Sequence, residues 1–86
     1  MILNIVNVKG LHARASGRFV EVCESFDAKA TVSKDGETVA GDSILGLMTL
    51  SASQGSEIDV ITTGPQAEAL LEALQNLVAN RFGEDK

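Results

Sequence analysis

His12 is the only histidine in the chain, and Arg14 stands two positions after it. An imidazole beside a guanidinium can carry a group covalently, because a neutral ring nitrogen is a nucleophile and an adjacent cation steadies an incoming anion. His12 follows Gly10-Leu11 and opens a stretch of helical periodicity where no Ser, Thr, Asp or Asn supplies a cap. A histidine in the place of a cap breaks a local rule, and such breaks mark functional sites. The free amides of a helix start, the positive end of the helix dipole and Arg14 all favour an anion beside the ring. The same neighbours favour a neutral, nucleophilic imidazole facing solvent at the tip of the helix. A phosphoryl group placed there stays transferable, because imidazole is a good leaving group. The plain alternative is a solvated loop histidine with a basic neighbour, and the residues alone leave both readings open.

The charge distribution singles out the same place. The chain of 86 residues carries a net charge of −5, yet its first twenty residues hold Lys9, Arg14 and Arg18 and no acid. The local positive field therefore surrounds the histidine, while the acidic remainder argues against a nucleic-acid partner. A chain of this length makes one domain, residues 1–86, and its apolar content of 44% is that of a globular protein. No apolar run approaches a membrane span, and Asn4 and Asn7 interrupt any signal-like stretch. The single Cys23 fits a reducing compartment. The expectation is a cytoplasmic protein without nucleic-acid or membrane partners.

The elements that must position His12 follow from periodicity. Residues 2–8 are rich in β-branched side chains and read as a strand with Leu3 and Ile5 on one face, broken at Gly10. From Ala13 to about Phe26, the recurrence of Ala15, Phe19, Val22 and Phe26 predicts an amphipathic helix. Residues 28–34 alternate with Ala28, Ala30 and Val32 inward. Asp35-Gly36 then signals a hairpin into a short strand at 37–41. Asp42-Ser43 can cap a short helix reaching about Ser51. Residues 57–62 alternate with Ile58 and Val60 inward. Gly64-Pro65 suits a helix start, followed by an apolar stripe of Ala67, Leu70, Leu71, Leu74, Leu77 and Val78 that stops at Gly83. The order βαββαβα predicts an α+β open-faced β-sandwich, a four-stranded antiparallel sheet with three helices on one face.

Other reactive types have plainer roles. Cys23 lies near the Phe19–Phe26 stripe and reads as a small buried hydrophobe. One His, one Cys and scattered carboxylates show no metal-ligand spacing. Gly55 and Gly64 lack the spacing and lysine of a phosphate-binding loop, so neither a metal nor a cofactor is expected. In the short second helix, Leu47 and Leu50 are assigned to the core. Ile44, Leu45 and Met48 are left partly exposed as an apolar docking patch, with ordinary core packing as the alternative.

Lys9-Gly10-Leu11-His12-Ala13-Arg14-Ala15 resembles the active-site signature of the HPr family, the histidine phosphocarriers of the phosphotransferase system. Asp42-Ser43-Ile44-Leu45-Gly46-Leu47-Met48 resembles the family's second signature, and the likeness in length and element order spans essentially the whole chain. The resemblance implies that His12 accepts phosphate on Nδ1 from phosphorylated Enzyme I, with phosphoenolpyruvate as the ultimate donor. An enzyme IIA-type protein would receive the group next. Arg14 falls on the family's active-site arginine, which helps neutralise the phosphate. Ser43 falls on a regulatory serine that a dedicated kinase phosphorylates in some bacteria; its plain alternative is a helix cap. Ile44, Leu45 and Met48, together with Gly17, fall on the partner surface. Such a protein is a monomeric carrier rather than a stand-alone catalyst.

Ala15 departs from the family pattern, standing where a proline usually follows the active-site arginine. Glu21, Glu24 and Gly46 replace residues that are often basic in sugar-transport members. Because transient partners recognise complementary charge, these departures point to an alternative, a regulatory module of the nitrogen-related branch controlled at Ser43 or His12. A third reading is a non-catalytic docking domain of the same fold, which an intact His12 and Arg14 disfavour.

Overall fold

The computed structural model describes residues 1–86. Four strands, β1 (Ile2–Asn4), β2 (Lys29–Lys34), β3 (Glu37–Ala40) and β4 (Glu57–Thr63), form one antiparallel sheet in the order β1-β4-β2-β3. Three helices, α1 (Ala13–Glu24), α2 (Ile44–Thr49) and α3 (Ala67–Ala79), pack with it around one core. The predicted α+β open-faced sandwich is the fold observed.

Period-two alternation sets the sheet's buried face. Leu3, Ala30, Val32, Ile58 and Val60 point into the core, and register places Val32 opposite Val60 and Leu3 opposite Ile58. Asp35 (φ 51°) and Gly36 (φ 83°) make the expected hairpin, since a turn with two positive φ values matches the twist of its strands. The helices close the core with Phe19, Leu47, Leu70, Leu74 and Phe82, all fully buried. Burying each such side chain contributes about 1.5–3 kcal/mol.

Several boundaries differ from the periodicity. The first strand ends at Asn4 rather than near residue 8, because Gly10 and the fully buried Asn7 bond each other across a turn instead of to a neighbouring strand, with Val6 and Val8 left exposed. The buried face of α1 comprises Ala15, Ser16, Phe19, Val20 and Cys23, with Val22 and Phe26 only at its margin. Pro65 lies outside α3, whose N-cap is Gln66. Helix α3 ends at Ala79, four residues before the anticipated glycine, and Asn80 caps it. A short helical turn at Arg81–Gly83 follows, in which Arg81, Phe82 and Gly83 all have positive φ (57°, 55° and 81°). The fully buried Phe82 anchors this turn and sends the chain back toward the start of α1.

Candidate functional site

His12 is the N-cap of α1, with extended backbone and no side-chain capping bond. The amides of Ala13, Arg14 and Ala15 therefore lack both an intrahelical partner and a side-chain cap. No acidic residue lies in the first turn to neutralise that positive end.

The loop that presents His12 is built from the core outward. Asn7 is fully buried and donates from Nδ2 to the Gly10 carbonyl at 2.9 Å, while the Gly10 amide donates back to the Asn7 carbonyl at 3.2 Å. Gly10 has φ +66°, and a Cβ there would stand 2.4 Å from the Ala52 carbonyl oxygen. Only glycine combines that left-handed backbone with so close an approach. The next amide, Leu11, donates to the same Ala52 carbonyl at 2.9 Å. Buried Ser16 donates from its hydroxyl to the Leu11 carbonyl at 3.1 Å. Residues either side of the histidine are thus fixed to the loop after α2 and to α1 itself.

The ring is neither buried nor freely solvated: its side chain is 28% exposed. On one side it lines a shallow hollow of about 230 Å³ with Lys9, Leu11 and Ser51–Ser53. On the other, Nε2 lies 2.5 Å from Oε2 of Glu84, which receives 2.9 Å donation from Asn7 Nδ2 on its other oxygen. The expected ring in a purely positive, solvent-facing setting is therefore corrected: a carboxylate from the far end of the chain occupies one ring nitrogen. The Glu84 carboxyl is held below the ordinary carboxylate value, chiefly by the Asn7 hydrogen bond, against the opposing effect of burial. Hydrogen bonding and charge from His12, and the charge of Lys9, add to the lowering.

Arg14 is exposed and lies around the corner, lining a larger hollow of about 450 Å³ with Val8, Lys9, Arg18 and Gly83–Lys86. Lys9 lines both hollows, and neither arginine forms an ion pair. His12, Lys9, Arg14 and Arg18 thus converge with Glu84 and Asp85. The sequence offered no sign of the two acids, since Glu84 is 72 positions from its partner.

Ser43 caps α2, its Oγ accepting from the Gly46 amide at 3.0 Å. Leu47 and Leu50 are buried, whereas Ile44, Leu45 and Met48 are 42%, 77% and 40% exposed. Gly17 on α1 abuts this patch: a Cβ there would stand 4.0 Å from Cδ1 of Ile44. Cys23 is buried and unpaired, and burial first, then the charges of Asp42 and Glu24, push its thiol up to about 11. No helix is long and apolar enough to cross a membrane.

Comparisons with known proteins agree with this geometry. The family model described as "PTS HPr component phosphorylation site" matches residues 2–80. The phosphocarrier protein HPr of Cupriavidus necator is 41% identical over 93% of this chain and 90% of its own length. The phosphocarrier protein NPr of Escherichia coli is 36% identical, covering 96% of this chain and 93% of its own. Among solved structures, HPr of Thermoanaerobacter tengcongensis superposes with a TM-score of 0.94 at 35% identity, covering 100% of this chain and 97% of that one.

Proposed function

The chain belongs to the HPr family of phosphocarriers of the phosphotransferase system, and from that premise we propose that Nδ1 of His12 accepts a phosphoryl group from phosphorylated Enzyme I. Phosphoenolpyruvate supplies the group to Enzyme I, and an enzyme IIA-type protein takes it from His12. The observation that carries this reading is the placement of a partly exposed imidazole as the uncapped N-cap of α1, with Lys9 and Arg14 close by. A phosphoryl group on Nδ1 meets free amides and the positive end of the helix, and Arg14 neutralises its oxygens. Phosphoryl transfer asks mainly for positioning and charge stabilisation, so a carrier of this size needs few groups.

Ile44, Leu45, Met48 and Gly17 form the surface on which both partners dock, as a monomer in the cytoplasm. Exposed apolar side chains gathered in one patch suit protein docking. Ser43 adjoins the patch, and a phosphate on it would bring about −1.5 to −2 charges against an incoming phosphorylated partner. It is the regulatory site where the host has a dedicated kinase.

A second reading places the chain in the nitrogen-related branch. The likeness to NPr and the exposed Glu21 and Glu24 of α1 favour it.

Incubation with labelled phosphoenolpyruvate and Enzyme I tests the carrier reading. Acid-labile label should appear on His12 and be absent from His12→Ala. Failure to label, or label at another residue, refutes it. Onward transfer to nitrogen-type against sugar-type IIA proteins separates the two branches.

A further inference from the structure

Glu84 is held too deliberately to be a stray surface acid. Three successive left-handed residues, two of them not glycine, turn the chain after α3, a backbone that persists only where the surroundings enforce it. Buried Phe82 anchors the turn, the Glu84 amide donates to the Arg81 carbonyl at 2.9 Å, and the Val8 amide donates to the Lys86 carbonyl at 3.1 Å. The Glu84 side chain is only 14% exposed, and each of its oxygens has its own partner, Asn7 on one and His12 on the other. The carboxylate is thus oriented from the core by a fully buried amide.

We infer that Glu84 is a positioning residue for phosphoryl transfer: it accepts the Nε2 proton of His12, so that the lone pair is on Nδ1, and it offsets the positive charge that the ring gains on phosphorylation. The inference rests on the carrier reading. In the accepting step the Nδ1 lone pair forms the bond to phosphorus, while the donor's bond to phosphorus breaks and its electron pair leaves with the donor. The Nε2 proton stays in place, so the phosphorylated ring is cationic, and Glu84 lies against that charge. In the onward step the pair of the Nδ1–P bond returns to the ring, which becomes neutral again. No proton has to enter or leave the imidazole in either direction. An acid that fixes a histidine's tautomer and steadies its cation is the same device that orients the imidazole of serine hydrolases.

Substitution separates this role from mere support of the fold. In Glu84→Gln the Asn7 amide still claims the side-chain oxygen, so the introduced NH2 group faces Nε2 of His12 and compels it to accept. That places the ring proton on Nδ1, the wrong nitrogen for attack. Glu84→Ala releases the ring to a mixture of tautomers. Nitrogen-15 spectra of the His12 ring, recorded where the ring is neutral, should show the Nε2–H form in the native chain, a mixture in Glu84→Ala and enrichment of Nδ1–H in Glu84→Gln. Labelling by phosphorylated Enzyme I should slow about ten- to a hundredfold in Glu84→Ala, the cost that losing the carboxylate partner of a metal-ligating histidine typically carries. In Glu84→Gln it should be about tenfold slower again, because an amide there holds the wrong tautomer. A labelled native chain whose ring spectrum is the same in both variants overturns the inference alone. A native chain that takes no label overturns the carrier reading on which it stands.

Discussion

Nδ2 of Asn7 stands 2.9 Å from Oε1 of Glu84 while also donating to the Gly10 carbonyl, so one buried amide ties the histidine loop to residues 77 positions away. Its own Oδ1 is buried without a partner. The opposite amide orientation would turn that oxygen toward two acceptors, so the amide's direction follows from its neighbours.

Asn7→Ala removes both donations and leaves the Gly10 carbonyl and Glu84 short of a partner. The expected loss of stability in urea unfolding is about 1–3 kcal/mol, the cost of stranding buried polar groups. A loss below the error of the measurement would show that solvent replaces the amide without penalty.

The depressed carboxyl of Glu84 makes part of the stability depend on pH. A carboxyl that binds its proton less readily in the folded chain stabilises the fold fully above its ordinary value of 4.5, and that contribution is lost as pH falls through the lower folded value. Unfolding curves of the native chain and Glu84→Ala should be well separated at pH 7 and converge below pH 4.5. A separation that persists unchanged into strong acid would mean that the residue contributes through packing rather than charge.

Arg14 is exposed and free of any ion pair, so its replacement should leave the fold alone. Arg14→Ala is expected to slow phosphoryl acceptance about a hundredfold, as loss of one group that stabilises transferring charge does elsewhere. Binding of unphosphorylated Enzyme I, followed by calorimetry, should change far less. Normal transfer by the variant would remove the guanidinium from the reaction.

Ser43 serves α2 whether or not a kinase ever reaches it. Ser43→Ala deletes the acceptor of the Gly46 amide and should cost about 1 kcal/mol in urea unfolding, the usual value of an N-cap. Phosphotransfer from Enzyme I should be retained; its loss would mark the hydroxyl as a contact in the transfer complex.

Leu45 is the most exposed member of the apolar patch. Leu45→Asp should leave the unfolding free energy within about 0.5 kcal/mol of the native value while weakening both Enzyme I and IIA binding. Unchanged affinity for both partners would remove this side chain from the docking surface.

Periodicity was enough to read the order of elements, because alternation in β2 and β4 and the stripe of Leu70, Leu74 and Val78 are local records of burial. Where polar residues took core positions, the pattern misled. Ser16 is fully buried because the Leu11 carbonyl accepts its hydroxyl, and Asn7 because Gly10 and Glu84 accept its amide. Neither registers as apolar, so the inner face of α1 and the end of β1 were misjudged. The end of α3 was misplaced for a related reason. Phe82 falls one turn beyond Val78, as a continuing helix would have it, but reaches the core through left-handed backbone instead. The histidine and Arg14 were legible because they are neighbours in sequence and share a helix start. Glu84 was not, because no spacing rule connects residues brought together only by the chain's return.

Cys23, shut away on the inner face of α1, offers a practical opening. A thiol pushed up to about 11 and hidden from solvent forms almost no thiolate at neutral pH, so alkylating dyes pass it over. A second cysteine placed on open surface away from the histidine, such as Gln75→Cys on α3, would take a fluorophore selectively on the otherwise native background. Its anisotropy could then time each encounter and departure of a partner without disturbing the core.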